Sequence, residues 1–165
     1  MRGAFRLIPN VKLFVFPRNF TFQDYLLLKK YGEEQKFLKD EGHNLVVDVG
    51  MQQIIDLMID VSDSGFTHCR VGSGTNTPAA ADTDMQTIIG SGLAVTTRYR
   101  SSLSANYDTF FSTSDNNGSW NETGLATAST GGTLLCRRKF NSTFTKSTSN
   151  TALIAWSITL AAVAD

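Results

Sequence analysis

Apolar and polar residues alternate with period two through much of the second half of the chain, and turn signals interrupt the alternation about every ten residues. In TALIAWSITLAA, Ala152, Ile154, Trp156, Ile158 and Leu160 share one face, while Leu153, Ala155, Ser157 and Thr159 share the other. Successive side chains of a strand point to opposite sides, so this pattern specifies strands with distinct faces. TTRYRSSLSANYDTFFSTS reads the same way. Tyr99, Leu103, Ala105, Tyr107 and Phe111 fall on one face; Arg98, Arg100, Ser102, Ser104, Asn106 and Asp108 fall on the other. DNNGS, STGG and KSTSN punctuate two further strands, WNETGLATA and TLLCRRKFN. Short strands at this spacing predict a mainly β fold, an antiparallel β-sandwich or barrel-like sheet.

Earlier in the chain the period changes. In LIPNVKLFVFP, Val11, Leu13 and Val15 oppose Lys12, Phe14 and Phe16, and Pro17 ends the strand because it has no N–H to give. TFQDYLLLKKYG has a capping-box pair, Thr21 and Asp24. Lys29 and Lys30 suit a helix C-terminus and Gly32 a stop, which predicts a helix over 22–31. EEQKFLKDEGHN reads as a polar connector. NLVVDVG then reads as a short strand. MQQIIDLMIDV places Met51, Ile54, Ile55, Met58 and Val61 at helical spacing, a stripe suited to packing on a sheet. THCRVG is the next strand.

Basic residues concentrate before His43, with eight Lys or Arg against five Asp or Glu. The expected organisation is therefore an N-terminal strand–helix extension over 1–43 and a β-rich module with one packed helix over 44–165. The extension either reaches a neighbouring subunit or completes the module's own sheet.

VGSGTNTPAAADTDMQTIIG, residues 71–90, has the glycine spacing of a phosphate cradle, but its chemistry is wrong for one. It has no lysine, Pro78 removes an N–H, and Asp82 and Asp84 repel phosphate. Gly72, Gly74, Thr75, Asn76, Pro78, Asp82 and Asp84 read instead as a turn followed by a surface loop, with positive φ at the two glycines. His68 and Cys69 are adjacent and point to opposite faces; with His43 and Cys136 they form no zinc-type spacing, so no metal or cofactor is expected. Both cysteines read as buried thiols.

A carboxylate pair could be drawn from Asp108 and Glu122, but both read as solvent-facing strand residues. No nucleophile elbow is present, so an enzyme is not expected. Arg98, Arg100, Arg137, Arg138 and Lys139 could form a basic face beside Tyr99 and Tyr107. With fifteen basic and fifteen acidic residues in balance, they read instead as charges that discourage edge pairing, and no nucleic-acid partner is expected. No apolar run has the length of a bilayer span and no secretory signal is visible, so the chain is expected to be made in a cytoplasm, to stay there or leave as part of an assembly, and to have no membrane partner.

Taken in order, NLVVDVGMQQIIDLM, VGSGTNTPAAADTDMQT, RYRSSLSANYDTFF, NETGLATASTGGTLLCRRKF and KSTSNTALIAWSITL resemble small virion structural proteins of tailed bacteriophages and head-tailed archaeal viruses. These include the β-rich attachment domain of some tail-fibre proteins. The matching positions are Gly72, Gly74, Glu122, Gly124, Leu125, Gly132, Leu134, Arg137, Lys146, Trp156 and Ile158. The resemblance implies an adaptor or attachment subunit of a tail, baseplate or fibre. Such a subunit assembles with other virion proteins, forms a homo-oligomer and resides in the virion. A capsid decoration protein and a host-glycan-binding module are the alternatives. Within the resemblance the loop from Gly72 to Asp84 is expected to present an assembly surface, Glu122 to pair with Arg137 or Arg98 across the sheet, and Trp156 to anchor the core between helix and sheet.

Overall fold

A computed structural model describes residues 4–61 and 64–163. Ten strands and two helices follow one another as β1 (Ala4–Pro17), α1 (Phe22–Tyr31), β2 (Leu38–His43), β3 (Leu45–Val46), α2 (Asp48–Met58), β4 (His68–Gly72), β5 (Leu93–Ala94), β6 (Thr97–Ser101), β7 (Ser104–Phe111), β8 (Gly118–Ala126), β9 (Leu134–Lys146) and β10 (Asn150–Val163). A 3-10 turn, Glu34–Phe37, leads into β2. Two antiparallel five-stranded sheets result, ordered β2-β1-β10-β7-β6 and β3-β9-β8-β4-β5. The mainly β architecture expected from the alternation is the one observed.

Between the sheets lies the main core. Val11 and Leu13 of β1, Ile154 and Trp156 of β10, and Phe111 of β7 meet Cys69 and Val71 of β4, Trp120 and Leu125 of β8, and Cys136 of β9. Trp156 is thus held between two sheets rather than between helix and sheet, and its indole N–H points to the Cys69 sulfur at 3.4 Å. Both cysteines are buried and free. Burial pushes the Cys69 thiol up to about 11 and raises Cys136 as well, so neither is a ready nucleophile.

The first sheet is covered on both sides. Phe14 and Phe16 of β1 and Leu153 of β10 point away from the main core and pack under α1, with Tyr25, Phe20, Phe37 and Phe110 completing an aromatic cluster. Phe16 and Phe20 stack with centroids 4.1 Å apart. The capping box at Thr21 and Asp24 forms, and Gly32 closes the helix at φ 68°.

Of the two readings of the extension, completion of the chain's own sheet is the one observed, and three further expectations are corrected. β1 pairs with β10 from Ala4↔Val163 to Pro17↔Asn150 and with β2 on its other side, so the extension completes the chain's own sheet. The supposed polar connector supplies β2. Residues 44–50 give only a two-residue strand, because α2 already begins at Asp48; Gly50 lets the helix rest on β9, where a Cβ would strike the Leu134 and Leu135 backbone. TTRYRSSLSANYDTFF is a hairpin, β6 and β7, turning at Ser102 with φ 53°.

Candidate functional site

Arg70 of β4, Glu122 of β8 and Arg137 of β9 all emerge on the outer face of the second sheet, where water would be expected. All three are buried. What covers them is the β4–β5 connection, residues 73–92. Glu122 lies opposite Gly72 in the β4–β8 register, and its carboxylate runs out over that glycine and Gly74. Its two oxygens accept from the N–H groups of Gly74 (3.1 Å), Gln86 (3.2 Å) and Thr87 (2.9 Å) and from Arg137 Nε (2.6 Å). A carboxylate offers about four lone-pair sites, and here each has a donor.

Arg137 is shared. Its Nη1 donates to Asp82 at 2.7 Å and its Nη2 to the Asn76 carbonyl at 3.2 Å. Arg70 donates to Asp84 at 2.7 Å and to the Ala128 and Gly131 carbonyls. Gln86 Oε1 accepts from the N–H groups of Thr75 and Asn76, both at 2.8 Å. Burial pushes Asp82 up, but the Ala79 N–H and the Arg137 guanidinium outweigh it and hold the carboxyl below its usual range. Burial alone would lower Arg137, yet Asp82 and Glu122 raise it. The loop is therefore bolted to the sheet by two arginines and a glutamate beneath it.

The loop residues singled out from the sequence separate into two groups. Gly72 and Gly74 are buried and have no positive φ; they are glycines because a Cβ would collide with the Thr87 carbonyl or the Glu122 carboxylate. Asp82 and Asp84 are anchors. Thr75 and Asn76 are exposed on the crest and Pro78 is half-buried. Glu122 pairs with Arg137, one of the two partners expected for it.

A second charged cluster lies under α1. Asp108 of β7 is buried, not solvent-facing, and its Oδ2 meets Lys29 Nζ at 2.9 Å. Lys29 also donates to Tyr99 Oη at 2.6 Å and sits over the Tyr25 and Tyr99 rings, 5.3 and 4.9 Å from their centroids. Burial raises the Asp108 carboxyl, and Lys29 only partly offsets this. Lys29 itself loses to burial but gains more from Tyr99 and Asp108, so it is raised. A cleft of about 180 Å³ opens beside the pair, lined by Asn10, Lys12, Tyr25, Glu34 and Asn106. The sequence carried a signal for this cluster: Phe110, a large apolar residue, shares the Asp108 face.

Glu122 and Asp108 belong to different sheets and so make no catalytic pair. The five candidate basic residues also disperse. Arg137 turns under the loop, and Arg138 turns inward to Asp40 of β2 and the His43 carbonyl, tying one sheet to the other. Among the described residues, no three His, Cys, Asp or Glu side chains are grouped to hold a metal, and no helix is long and apolar enough to cross a membrane. Compared with family models, curated proteins and solved structures, the chain matches none.

Proposed function

We propose that this chain is a structural subunit of a tailed-virus particle, an adaptor or attachment piece of the tail, baseplate or fibre that works by protein–protein assembly. The observation that carries the reading is the crest of the 73–92 loop. It is an exposed run of small residues, Thr75 to Thr77 and Ala79 to Ala81, fixed from below by Glu122, Arg137 and Arg70. Its charged and glycine residues spend their hydrogen bonds on holding the loop's shape rather than on an open reaction centre. A pre-shaped loop loses little conformational entropy on docking, which favours a permanent structural contact. The ordered resemblance over 44–160 supports the same reading. On it, the partners are other virion proteins and further copies of the chain, nucleic acid and membrane are not partners, and the protein is made in the host cytoplasm and resides in the virion.

Quantitative mass spectrometry of purified particles tests this. The expected result is a chain that co-purifies with particles at a few to tens of copies each, as a tail part does. Hundreds of copies would move it to the capsid shell, and its absence from particles would overturn the proposal. Replacing Thr75 and Asn76 with bulky charged residues should leave the fold intact and deplete the subunit from particles.

A further inference from the structure

The apolar stripe of α2 faces the wrong way for a core. Ile54 alone of the expected residues packs inward; Ile55 is 53% exposed and Met58 80%, and Val61 beyond the helix is 67% exposed. Met51, Ile55 and Met58 recur at helical spacing, so the outward ridge is continuous, and Ile59 (62% exposed) prolongs it. Beside it the sandwich gapes. A cleft of about 770 Å³ lies between α2 and the β6–β7 hairpin, walled by Leu7, Leu57, Phe66, Leu103, Ile158 and Leu160. Ridge and cleft together make one apolar surface of the kind that marks an interaction site.

Charge indicates what covers it. The segment 48–61 carries three aspartates, Asp48, Asp56 and Asp60, and no Lys, Arg or His. Arg98 and Arg100 line the cleft from β6. Among the described residues, none of these five charges has an ion-pair partner, although seven ion pairs form elsewhere. An acidic apolar ridge and a basic apolar cleft on one chain are complementary to each other; Met58 stands at the rim of its own cleft, while Met51 and Ile55 lie outside it and remain exposed to a second molecule.

The geometry points to a second copy of this chain as the occupant. Across a two-fold axis, Met51, Ile55 and Met58 of one protomer seat against the cleft of the other, and Asp56 and Asp60 meet the other's Arg98 and Arg100. The same pairs form twice, because in an isologous contact residue i meets j and j meets i. Two methionines in the ridge suit it to an irregular cleft, since their thioether chains adapt to uneven walls. The contact gives a surface to the homo-oligomer proposed above. It is inferred from the α2 ridge and the cleft beside it, not from the 73–92 loop, so particle localisation and dimerisation fail separately.

Sedimentation equilibrium of the full chain tests the contact. Wild type should form dimers. Ile55→Glu with Met58→Glu should weaken dimerisation at least tenfold while far-UV circular dichroism and the denaturation midpoint stay unchanged. Arg98→Glu with Arg100→Glu should give monomers, as should Asp56→Arg with Asp60→Arg. Mixing these two charge variants should restore dimers, because each then offers what the other lacks; this readout stands even if the ridge variant folds poorly. A wild-type monomer at the highest attainable concentration overturns the inference. So does a dimer indifferent to these substitutions, or a monomer whose native mass spectrum carries a bound amphiphile.

Discussion

Each sheet buries a carboxylate on its outer face, Glu122 under the 73–92 loop and Asp108 under α1, and the two are compensated in opposite ways. Glu122 gathers three backbone N–H groups and a guanidinium, and the arginine it holds is itself shared with Asp82. Asp108 has a single ammonium, on a lysine side chain that remains 35% exposed. A buried charge pair stabilises only when the remaining lone pairs find donors as well. The Glu122 cluster meets that condition and fastens a loop. The Asp108 cluster meets it in part, and its carboxyl is raised accordingly.

The sharpest way to break the contrast is Glu122→Ala. It orphans three backbone N–H groups and the Nε of Arg137, and should cost about 3–5 kcal/mol in chemical denaturation. Hydrogen exchange should show residues 73–90 losing protection first. Gly74→Ala reaches the same cluster by steric means, pushing a methyl against the Glu122 carboxylate, with a loss of about 1–3 kcal/mol.

On the other side, Asp108→Asn should change stability by less than about 1 kcal/mol at neutral pH, because water still reaches Lys29. Its signature is the pH profile. The raised Asp108 carboxyl lends stability that is fully present below its ordinary pKa and is lost as pH rises through the raised value. The lowered Asp82 carboxyl does the reverse: its contribution is present above the ordinary pKa and lost as pH falls through the depressed value. Denaturation midpoints measured across the acid range should therefore lose one slope in Asp108→Asn and the opposite slope in Asp82→Asn. Tyr99→Phe, which removes one exposed hydrogen bond to Lys29, should have the smallest effect, about 0.5 kcal/mol.

Local signals were the ones the sequence stated openly. The box at Thr21 and Asp24, the stop at Gly32, the alternation in β10 and the presence of a turn before β8 each depend on neighbours within a few positions. Sidedness was harder. Asp108 and Glu122 read as solvent residues because alternation tells which residues share a face, never whether that face is covered. Both sheets of this protein are covered outside as well as inside, one by α1 and the other by the loop. The stripe on α2 failed for the converse reason: helical spacing is the same whether an apolar ridge meets its own sheet or another molecule. β2 was hidden because LKDEGH alternates weakly, and its Asp40 earns a buried place only through Arg138, far along the chain. The positive φ expected at Gly72 and Gly74 gave way to crowding that only the folded Glu122 creates.

The pairing of β1 with β10 also sets the order of events. Val11 lies opposite Trp156 and Leu13 opposite Ile154, so the middle of the first sheet joins segments from the two ends of the described chain. Contacts this distant in sequence are slow to form, because the loop between them must close before any contact repays it. On a ribosome, β1 stays without its main partner until residues 150–163 emerge. Sheet completion therefore works as a synthesis clock, closing the first sheet only when translation of β10 is done.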